Sequence, residues 1–312
     1  MIKQVLSCDW GTSSFRLRLI NLADGSVHAE TTDGKGIAAV YNEWLQSGRP
    51  ENERVDFYKT ILLSQIKKLK DFSLPGLPVI ISGMASSSIG ITELPYGNIP
   101  FSINDVNLNV HRILPDEKYE HEILIVSGLK TNYDVMRGEE TMLLGCEISD
   151  NDEQLIIFPG THSKHAIVRD KVLVEFKTYM TGEVFDLLSD KSILSKSVIK
   201  NESTHYNKIF ERGVKEGAES NLLNAVFHIR TSQLFKSLTP EENYHYLSGL
   251  LIGYELQEIS AGKIKILLVC SQELYNSYWQ ALQILCWNTN LQYCNSRKAL
   301  TEGHCKLAKH FL

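Results

Sequence analysis

Two similar polar turns, each placed directly after a short apolar run, constrain this chain more than any other feature. The first turn is residues 9–14 (DWGTSS) after the apolar residues 5–8, and the second is residues 159–163 (PGTHS) after residues 155–158. Residues 15–19 then alternate between apolar and basic side chains, which is typical of a half-buried strand. The sequence therefore predicts two strand–turn–strand units about 150 residues apart, one in each half of the chain.

The length of the chain agrees with a division into two halves. It has 312 residues, and domains average about 150 residues. Hydrophobic residues make up 43% of the sequence and charged residues 22%, as in ordinary folded proteins. The polar segment 151–153 is the best linker candidate, so we predict an N-terminal domain over residues 1–150 and a C-terminal domain over residues 151–312.

Charge and cysteine usage exclude several classes of protein. The net charge is −5, which provides no overall positive field for a nucleic acid or an anionic membrane surface. No apolar run approaches the 18 to 20 or so residues of a membrane-spanning helix, and Asp9 comes too early for a secretory segment. The six cysteines form no C-x-x-C pair and are predicted to be free thiols. We expect a cytoplasmic protein with no nucleic-acid or membrane partner.

Other nucleotide and metal motifs are weak or absent. The P-loop pattern does not occur. Residues 34–39 (GKGIAA) match a dinucleotide-binding pattern, but they follow a hairpin strand and not the first strand of a βαβ unit, so a simple loop before a helix is the favoured interpretation. His162 and His165, and separately His304 and His310, lack further ligands at zinc-site spacing.

The first turn has the residue types of a phosphate site. Asp9 stands at a strand end and can bind Mg²⁺ directly or through water, while Gly11 lets backbone N–H groups approach phosphate oxygens. An ordinary Asx-type turn explains a single motif of this kind equally well. Because the second turn repeats the pattern, we favour two phosphate-binding hairpins that face each other across a cleft and hold the β- and γ-phosphates of a nucleotide.

Five sequence blocks in a fixed order resemble the 2-dehydro-3-deoxygalactonokinases, a family of the ASKHA superfamily of sugar kinases, heat-shock chaperones and actin. They are residues 9–16 (DWGTSSFR), 135–141 (VMRGEET), 159–164 (PGTHSK), 180–183 (MTGE) and 247–253 (LSGLLIG). The resemblance implies an α/β fold with two ribonuclease H-like domains of the actin and hexokinase type flanking a nucleotide cleft. It also implies a sugar-acid site in the first domain and an adenosine site in the second.

The resemblance implies transfer of the γ-phosphoryl group of ATP, with Mg²⁺, to the C6 hydroxyl of 2-dehydro-3-deoxy-D-galactonate in galactonate breakdown. Two alternatives stay open: a kinase for another sugar acid or a ketose, because Ile91 follows Gly90 where the family has tryptophan, and a non-catalytic nucleotide-binding relative. The sequence is also compatible with a homodimer.

The same resemblance assigns roles to individual residues. Asp9 is the Mg²⁺-associated carboxylate, and Glu139 or Glu140 accepts the hydroxyl proton; we favour Glu139, with the other acid serving only the start of a helix. The expected nucleotide-binding residues are Gly11, Thr12, Ser13, Arg16, Gly160, Thr161, His162, Lys164, Gly249 and Ser271. The expected substrate-binding residues are Gly36, Ser86, Ser87, Arg137 and Glu183.

Overall fold

A computed structural model describes residues 2–69, 72, 74–150, 152–201, 207–259, 265–285 and 290–312 of the chain. The chain forms two compact units. Unit 1 comprises Met1–Ile148, Lys171–Glu175 and Ser296–Leu312, and unit 2 comprises Ser149–Asp170 and Phe176–Asn295. The change from unit 1 to unit 2 between Ile148 and Ser149 lies close to the predicted boundary at residue 150. Within the described ranges, no helix has the length and apolar character needed to cross a bilayer.

The elements of the first half are mostly short strands. They are β1 (Gln4–Trp10), β2 (Phe15–Asn21), β3 (Val27–Asp33), α1 (Ile37–Gln46), α2 (Arg54–Ile66), β4 (Val79–Gly83), β5 (Gly97–Asn98), β6 (Phe101–Ser102), β7 (Val110–Ile113), β8 (Ile123–Val126), β9 (Leu129–Lys130), β10 (Val135–Met136) and α3 (Glu139–Gly145).

The second half is richer in helices. Its elements are β11 (Glu153–Phe158), β12 (Ser163–Arg169), β13 (Val172–Tyr179), α4 (Thr181–Asp186), α5 (Asn207–Glu219), α6 (Leu222–Leu234), α7 (Pro240–Leu256), β14 (Lys265–Cys270), α8 (Gln272–Leu285), β15 (Leu291–Asn295) and α9 (Ser296–Phe311).

Unit 1 is built on a mixed sheet with the strand order β3-β2-β1-β4-β8-β7. The predicted hairpin is present, because β1 and β2 pair antiparallel from Gln4 with Asn21 to Trp10 with Phe15. On its other side β1 pairs parallel with β4, which in turn pairs parallel with β8. Parallel neighbours end at the same edge of a sheet, so the turn after β1 and the loop after β4 lie side by side.

The sheet of unit 2 repeats this arrangement. Five strands of this six-stranded sheet follow the order β13-β12-β11-β14-β15, and β6 pairs with the start of β13. Strand β11 is antiparallel to β12 on one side and parallel to β14 on the other. Strands β14 and β15 are also parallel. Both sheets therefore follow the order 3-2-1-4-5 of a ribonuclease H-like domain, and the predicted fold class of two such α/β domains is confirmed.

Side chains alternate across β1 and separate an apolar face from a polar one. Leu6, Cys8 and Trp10 are fully buried in the main core of unit 1, where they pack with residues of α1 and α2. Ser7 and Asp9 point to the opposite face, because successive strand residues point to opposite sides. The same strand that supports the core thus presents a carboxylate at its end.

The C-terminal helix α9 packs in unit 1, although the sequence analysis placed it in the second domain. Its contact with α3 depends on two glycines, since a Cβ on Gly145 would lie 1.8 Å from the Ala299 carbonyl oxygen and one on Gly303 would lie 2.0 Å from the Thr141 carbonyl oxygen. The helices approach closely only without side chains at these positions. The predicted second domain, residues 151–312, thus includes a helix that belongs to unit 1. The packing partner of this helix, α3, is more than 150 residues away in sequence.

In unit 2, helices α5 and α7 pack through four glycines, Gly213, Gly217, Gly249 and Gly253. A Cβ on Gly249 would lie 2.2 Å from the Phe210 carbonyl oxygen, and one on Gly253 would lie 2.1 Å from the Val214 carbonyl oxygen. Gly249, an expected nucleotide-binding residue, is buried in this contact. Its missing side chain is explained by helix packing.

Candidate active site

The first turn is closed by its own backbone. The Gly11 amide donates to the Ser14 carbonyl over 2.9 Å, and the Ile37 and Ala38 amides donate to the Gly11 and Thr12 carbonyls. The Gly11 N–H is therefore used inside the turn in this structure. Thr12 and Ser13 are exposed, which leaves their side of the turn as the surface that can meet phosphate.

Gly36 supports this turn from the start of α1. A Cβ on Gly36 would lie 2.3 Å from the Thr12 carbonyl oxygen, so only glycine fits there. Gly36 is buried and directly precedes α1, which agrees with the favoured interpretation of residues 34–39 as a loop before a helix. The structure thus places this expected substrate-binding residue beneath the turn as a backbone support.

Asp9 and Arg16 form a pair at the end of the β1–β2 hairpin. They are register partners, with 3.2 Å between Arg16 Nη1 and Asp9 Oδ2, and the same nitrogen donates to Ser14 Oγ over 3.3 Å. The Asp9 side chain is 28% exposed. No cluster of three metal-ligating side chains occurs in the described part of the chain. One accessible carboxylate beside a turn fits Mg²⁺, which proteins commonly bind through one or two carboxylates plus substrate phosphates.

Two left-handed glycines bring the start of α3 against the end of β1. Gly83 has φ +90° and a Cβ there would lie 2.8 Å from the Trp10 carbonyl oxygen, while Gly138 has φ +103° and a Cβ there would lie 3.7 Å from the Gly83 Cα. Side chains are disfavoured at both positions because of this backbone conformation. As a result, Glu139 begins its helix next to the strand end that carries Asp9.

The two adjacent glutamates have different surroundings. Glu140 is fully buried; its carboxyl group accepts hydrogen bonds from the Gly138 amide over 2.7 Å and from the Thr141 hydroxyl over 3.0 Å. Burial, and secondarily the charge of Glu139, raise the pKa of Glu140 to about 8. Glu139 is partly exposed and accepts the Arg137 amide over 3.0 Å. Only Glu139 is accessible to a bound ligand.

Arg137 is held beside a tyrosine. Its Nε donates to the Tyr96 hydroxyl over 2.9 Å, and its guanidinium carbon lies 4.3 Å from the centroid of the Tyr96 ring. The buried Nη1 atom of Arg137 has no hydrogen-bond partner among the described residues. Arg137 is partly exposed and lies two residues before the start of α3, and a guanidinium fixed in this way is suited to bind a carboxylate.

Ser86 and Ser87 do not offer their hydroxyl groups to a ligand. Both are buried, and their hydroxyls donate to the Gly83 and Met84 carbonyls over 3.4 and 2.7 Å. They close a short 3-10 turn after β4, and this local bonding explains why small hydroxyl residues occur there. The expected role of Ser86 and Ser87 as direct substrate ligands is thus not the one that this geometry supports.

The loop that follows these serines is held by two residues that the sequence analysis did not single out. Arg54 donates through Nε to the Gly90 carbonyl over 2.9 Å and through Nη2 to the Ser88 carbonyl, and the Tyr58 hydroxyl donates to the Ile89 carbonyl over 2.6 Å. Nothing in the spacing of α2 distinguishes these side chains from its ordinary core and surface positions. Their role depends on a contact more than 30 residues away in sequence.

The second turn, in unit 2, is also stabilised from within. The Gly160 amide donates to Ser163 Oγ over 3.3 Å, and the buried Lys164 ammonium group donates to the His162 carbonyl over 2.8 Å. Lys164 thus holds the turn from below. Thr161 and His162 are exposed, and a Cβ on Gly160 would meet nothing within 4 Å.

Glu183 belongs to the same cluster as the second turn. Its carboxylate Oε2 lies 2.5 Å from His162 Nε2, and its amide donates to the Thr161 carbonyl over 3.0 Å. A Cβ on Gly182 would lie 2.7 Å from the Gly160 carbonyl oxygen. Ser271 directly follows β14, at the edge where its parallel neighbour β11 leads into the turn. The structure therefore groups Glu183 and Ser271 with the second turn.

A buried polar group beneath Asp9 was not anticipated. His304 is fully buried, with Nδ1 2.6 Å from Ser7 Oγ and Nε2 3.1 Å from Ser82 Oγ. Burial, with a smaller effect of the charge of Arg18, lowers the pKa of His304 to about 3. Ser82 is the register partner of Asp9. Two serines inside otherwise apolar strands are the sequence signal that could have indicated this contact.

The fold and the two turns define a protein of the ASKHA type, with a glycine-bearing turn after the first strand of each ribonuclease H-like unit. The chain belongs to the 2-keto-3-deoxy-galactonokinase family, whose model matches residues 9–307. The family predicted from the sequence blocks is therefore confirmed, and with it the enzyme class, a kinase.

Individual relatives agree with this assignment over most of their length. The chain is 34% identical over 271 residues to a probable 2-dehydro-3-deoxygalactonokinase, DgoK1, of Rhizobium meliloti (strain 1021), covering 84% of this chain and 82% of the relative. It is 28% identical over 300 residues to the 2-dehydro-3-deoxygalactonokinase of Escherichia coli (strain K12), covering 91% of each. A crystal structure of a candidate 2-dehydro-3-deoxygalactonokinase from Sinorhizobium meliloti matches with a TM-score of 0.81 at 29% identity, over 98% of this chain and 96% of that one.

Proposed function

We propose that this protein transfers the γ-phosphoryl group of ATP to the C6 hydroxyl of 2-dehydro-3-deoxy-D-galactonate. Membership of the 2-keto-3-deoxy-galactonokinase family supports the reaction. The observation that carries the residue assignment is the contrast between Glu139, partly exposed beside the end of β1, and Glu140, fully buried. A group that takes a proton from a substrate hydroxyl must come within hydrogen-bond reach of it, and of the two glutamates only Glu139 is accessible.

The proposed roles follow from position. Glu139 accepts the proton of the attacking hydroxyl, and Asp9 would hold Mg²⁺ at the nucleotide phosphates. The exposed residues of the two turns, Thr12 and Ser13 in unit 1 and Thr161 in unit 2, bind phosphate. Phosphoryl transfer needs mainly positioning and charge neutralisation from the protein, and Mg²⁺ supplies charge stabilisation of the phosphates when it is bound. Arg16 adds a positive charge next to Asp9.

Arg137 is the proposed ligand of the substrate carboxylate. Its stacking on Tyr96 fixes the guanidinium plane, and the Arg137 side chain is partly exposed, as a ligand of a bound carboxylate must be. A lysine at this position could not reproduce a bidentate contact. We expect Arg137→Lys to raise KM for the sugar acid about tenfold or more, with little change in KM for ATP.

A coupled ADP-release assay with MgATP tests this function. We expect turnover with 2-dehydro-3-deoxygalactonate, a loss of about 10² to 10⁴ in kcat for Glu139→Gln, and activity close to that of the unaltered protein for Glu140→Gln. A Glu139→Gln variant with unaltered kcat would exclude Glu139 as the proton acceptor. Turnover confined to another sugar acid or a ketose in the same assay would exclude the proposed substrate, and binding of ATP without any turnover would exclude the reaction.

A further inference from the structure

A buried carboxylate in unit 2 contacts side chains from three other elements. Glu255 in α7 is 2% exposed. Its Oε1 atom lies 2.9 Å from His165 Nε2 in β12, and its Oε2 atom accepts hydrogen bonds from the Tyr278 hydroxyl in α8 over 2.7 Å and from the Thr181 hydroxyl at the start of α4. A buried carboxylate requires such partners because its desolvation is costly.

The contact through Tyr278 leads to the second turn. The Tyr278 hydroxyl lies 3.1 Å from Ser163 Oγ, and Ser163 Oγ accepts the Gly160 amide over 3.3 Å. Burial raises the pKa of Tyr278 well above its usual range. The hydroxyl therefore stays protonated and donates a hydrogen bond to Glu255. The bonds then run in one direction, from the Gly160 amide to Ser163, from Ser163 to Tyr278, and from Tyr278 to Glu255.

The contact through Thr181 leads to the same turn from its other side. Thr181 begins α4, and two residues later the Glu183 amide donates to the Thr161 carbonyl over 3.0 Å. The Glu183 carboxylate also contacts His162. One oxygen atom, Glu255 Oε2, therefore accepts from both hydroxyl groups, Tyr278 and Thr181, through which Glu255 is connected to the turn.

We propose that Glu255 is a positioning residue that sets the conformation of the second turn, Gly160–Ser163, and thereby the affinity of this turn for nucleotide phosphate. The proposal rests on the phosphate-binding role given to this turn above. Glu255 is too deeply buried to touch a nucleotide and acts through Tyr278 and Thr181. Removal of either hydroxyl breaks one of the two connections between Glu255 and the turn. Because both hydroxyls donate to the same oxygen, the effects of the two removals are expected to be non-additive.

The test measures binding of a non-hydrolysable ATP analogue with Mg²⁺ by calorimetry at 20 °C, so that it does not depend on turnover. We expect Tyr278→Phe and Thr181→Val each to raise Kd about tenfold, and the double variant to raise it by less than the product of the two. Glu255→Gln keeps an acceptor oxygen, and its Kd is expected to stay within about threefold of that of the unaltered protein. Glu255→Leu removes the acceptor oxygen, and its Kd is expected to rise. The matched control is Tyr275→Phe, on the same helix one turn earlier.

The outcomes separate this proposal from the proposed function. A Tyr278→Phe variant with lowered Tm but unaltered Kd would show that the network is structural only and would overturn the proposal. Failure of the unaltered protein to bind the analogue would overturn the proposal and the phosphate role of the turn together. Normal binding with the expected variant effects, but no phosphorylation of the sugar acid, would overturn the proposed reaction and leave the role of Glu255 supported.

Discussion

Replacement of Glu140 by glutamine is expected to make unit 1 more stable at alkaline pH. Glu140 is fully buried, and its pKa in the folded protein is raised from 4.5 to about 8. Between these values the folded protein keeps a proton that the unfolded chain releases, so stability falls as pH rises through this window. A glutamine can accept from the Gly138 amide and donate to the Thr141 hydroxyl, which keeps both contacts without a titrating group.

The size of the effect follows from the width of the window. From 4.5 to about 8 is an interval of about 3.5 units, and each unit corresponds to about 1.4 kcal/mol. The free energy of unfolding of Glu140→Gln relative to the unaltered protein is therefore expected to rise by about 1.4 kcal/mol per pH unit, to a limit of about 5 kcal/mol near pH 8. Below pH 4.5 the difference is expected to be constant.

Native-state hydrogen exchange of the β1 and β4 amides measures the free energy of opening of unit 1 alone. The two proteins are compared at each pH, so titrations common to both cancel. Because the charge of Glu139 also raises the pKa of Glu140, the upper end of the window should move to lower pH in a Glu139→Gln background. A difference between Glu140→Gln and the unaltered protein that does not change from pH 5 to pH 8 would refute the reasoning.

Three further substitutions test the turns and the packing around them. Gly160→Ala meets open space, so it should leave Tm unaltered yet raise KM for ATP if phosphate approaches that backbone; an unaltered KM argues against contact there. Gly303→Ala, against the Thr141 carbonyl, should cost about 1–3 kcal/mol of stability by overpacking, whereas its control Gly34→Ala should be neutral in urea unfolding. His304, with a pKa of about 3, stays neutral in the folded protein below pH 6.5, while the unfolded chain gains a proton. The unaltered protein should therefore lose about 1.4 kcal/mol of stability per pH unit below pH 6.5, and His304→Gln should not. A pH-independent difference in hydrogen exchange between the two proteins would contradict this.

Local patterns predicted the parts of the fold that local physics determines. The alternation after residue 14 predicted β2, and the apolar runs at residues 5–8 and 155–158 predicted β1 and β11, because period and burial fix a strand within a few residues. The two turns were located for the same reason. The helix that starts at Glu139 was also predicted, with its acids in the first turn.

The roles of individual side chains depended on contacts that are distant in sequence. The sequence places Glu139 and Glu140 side by side at a helix start, and only the folded structure shows that Glu140 is buried and Glu139 is partly exposed. Ser86 and Ser87 were expected to face a ligand, but the 3-10 turn after β4 directs their hydroxyls to the backbone. Glu255 had only a weak signal, a single acid near the end of an apolar helical segment.

Two buried groups of unit 1 near the proposed catalytic carboxylates, Glu140 and His304, are uncharged at neutral pH. Glu140 is protonated below about pH 8 and His304 is neutral above about pH 3. Their effects on stability oppose each other, since Glu140 lowers it as pH rises above 4.5 and His304 lowers it as pH falls below 6.5. Glu140 and His304 therefore add no charge near neutral pH, while the buried Arg18, whose charge acts on His304, is paired with Glu30. A charge on Glu140 or His304 would act on Asp9 and Glu139 through a medium of low dielectric constant, so their neutrality leaves the charge of the accessible carboxylates to be balanced by the ligands that bind there.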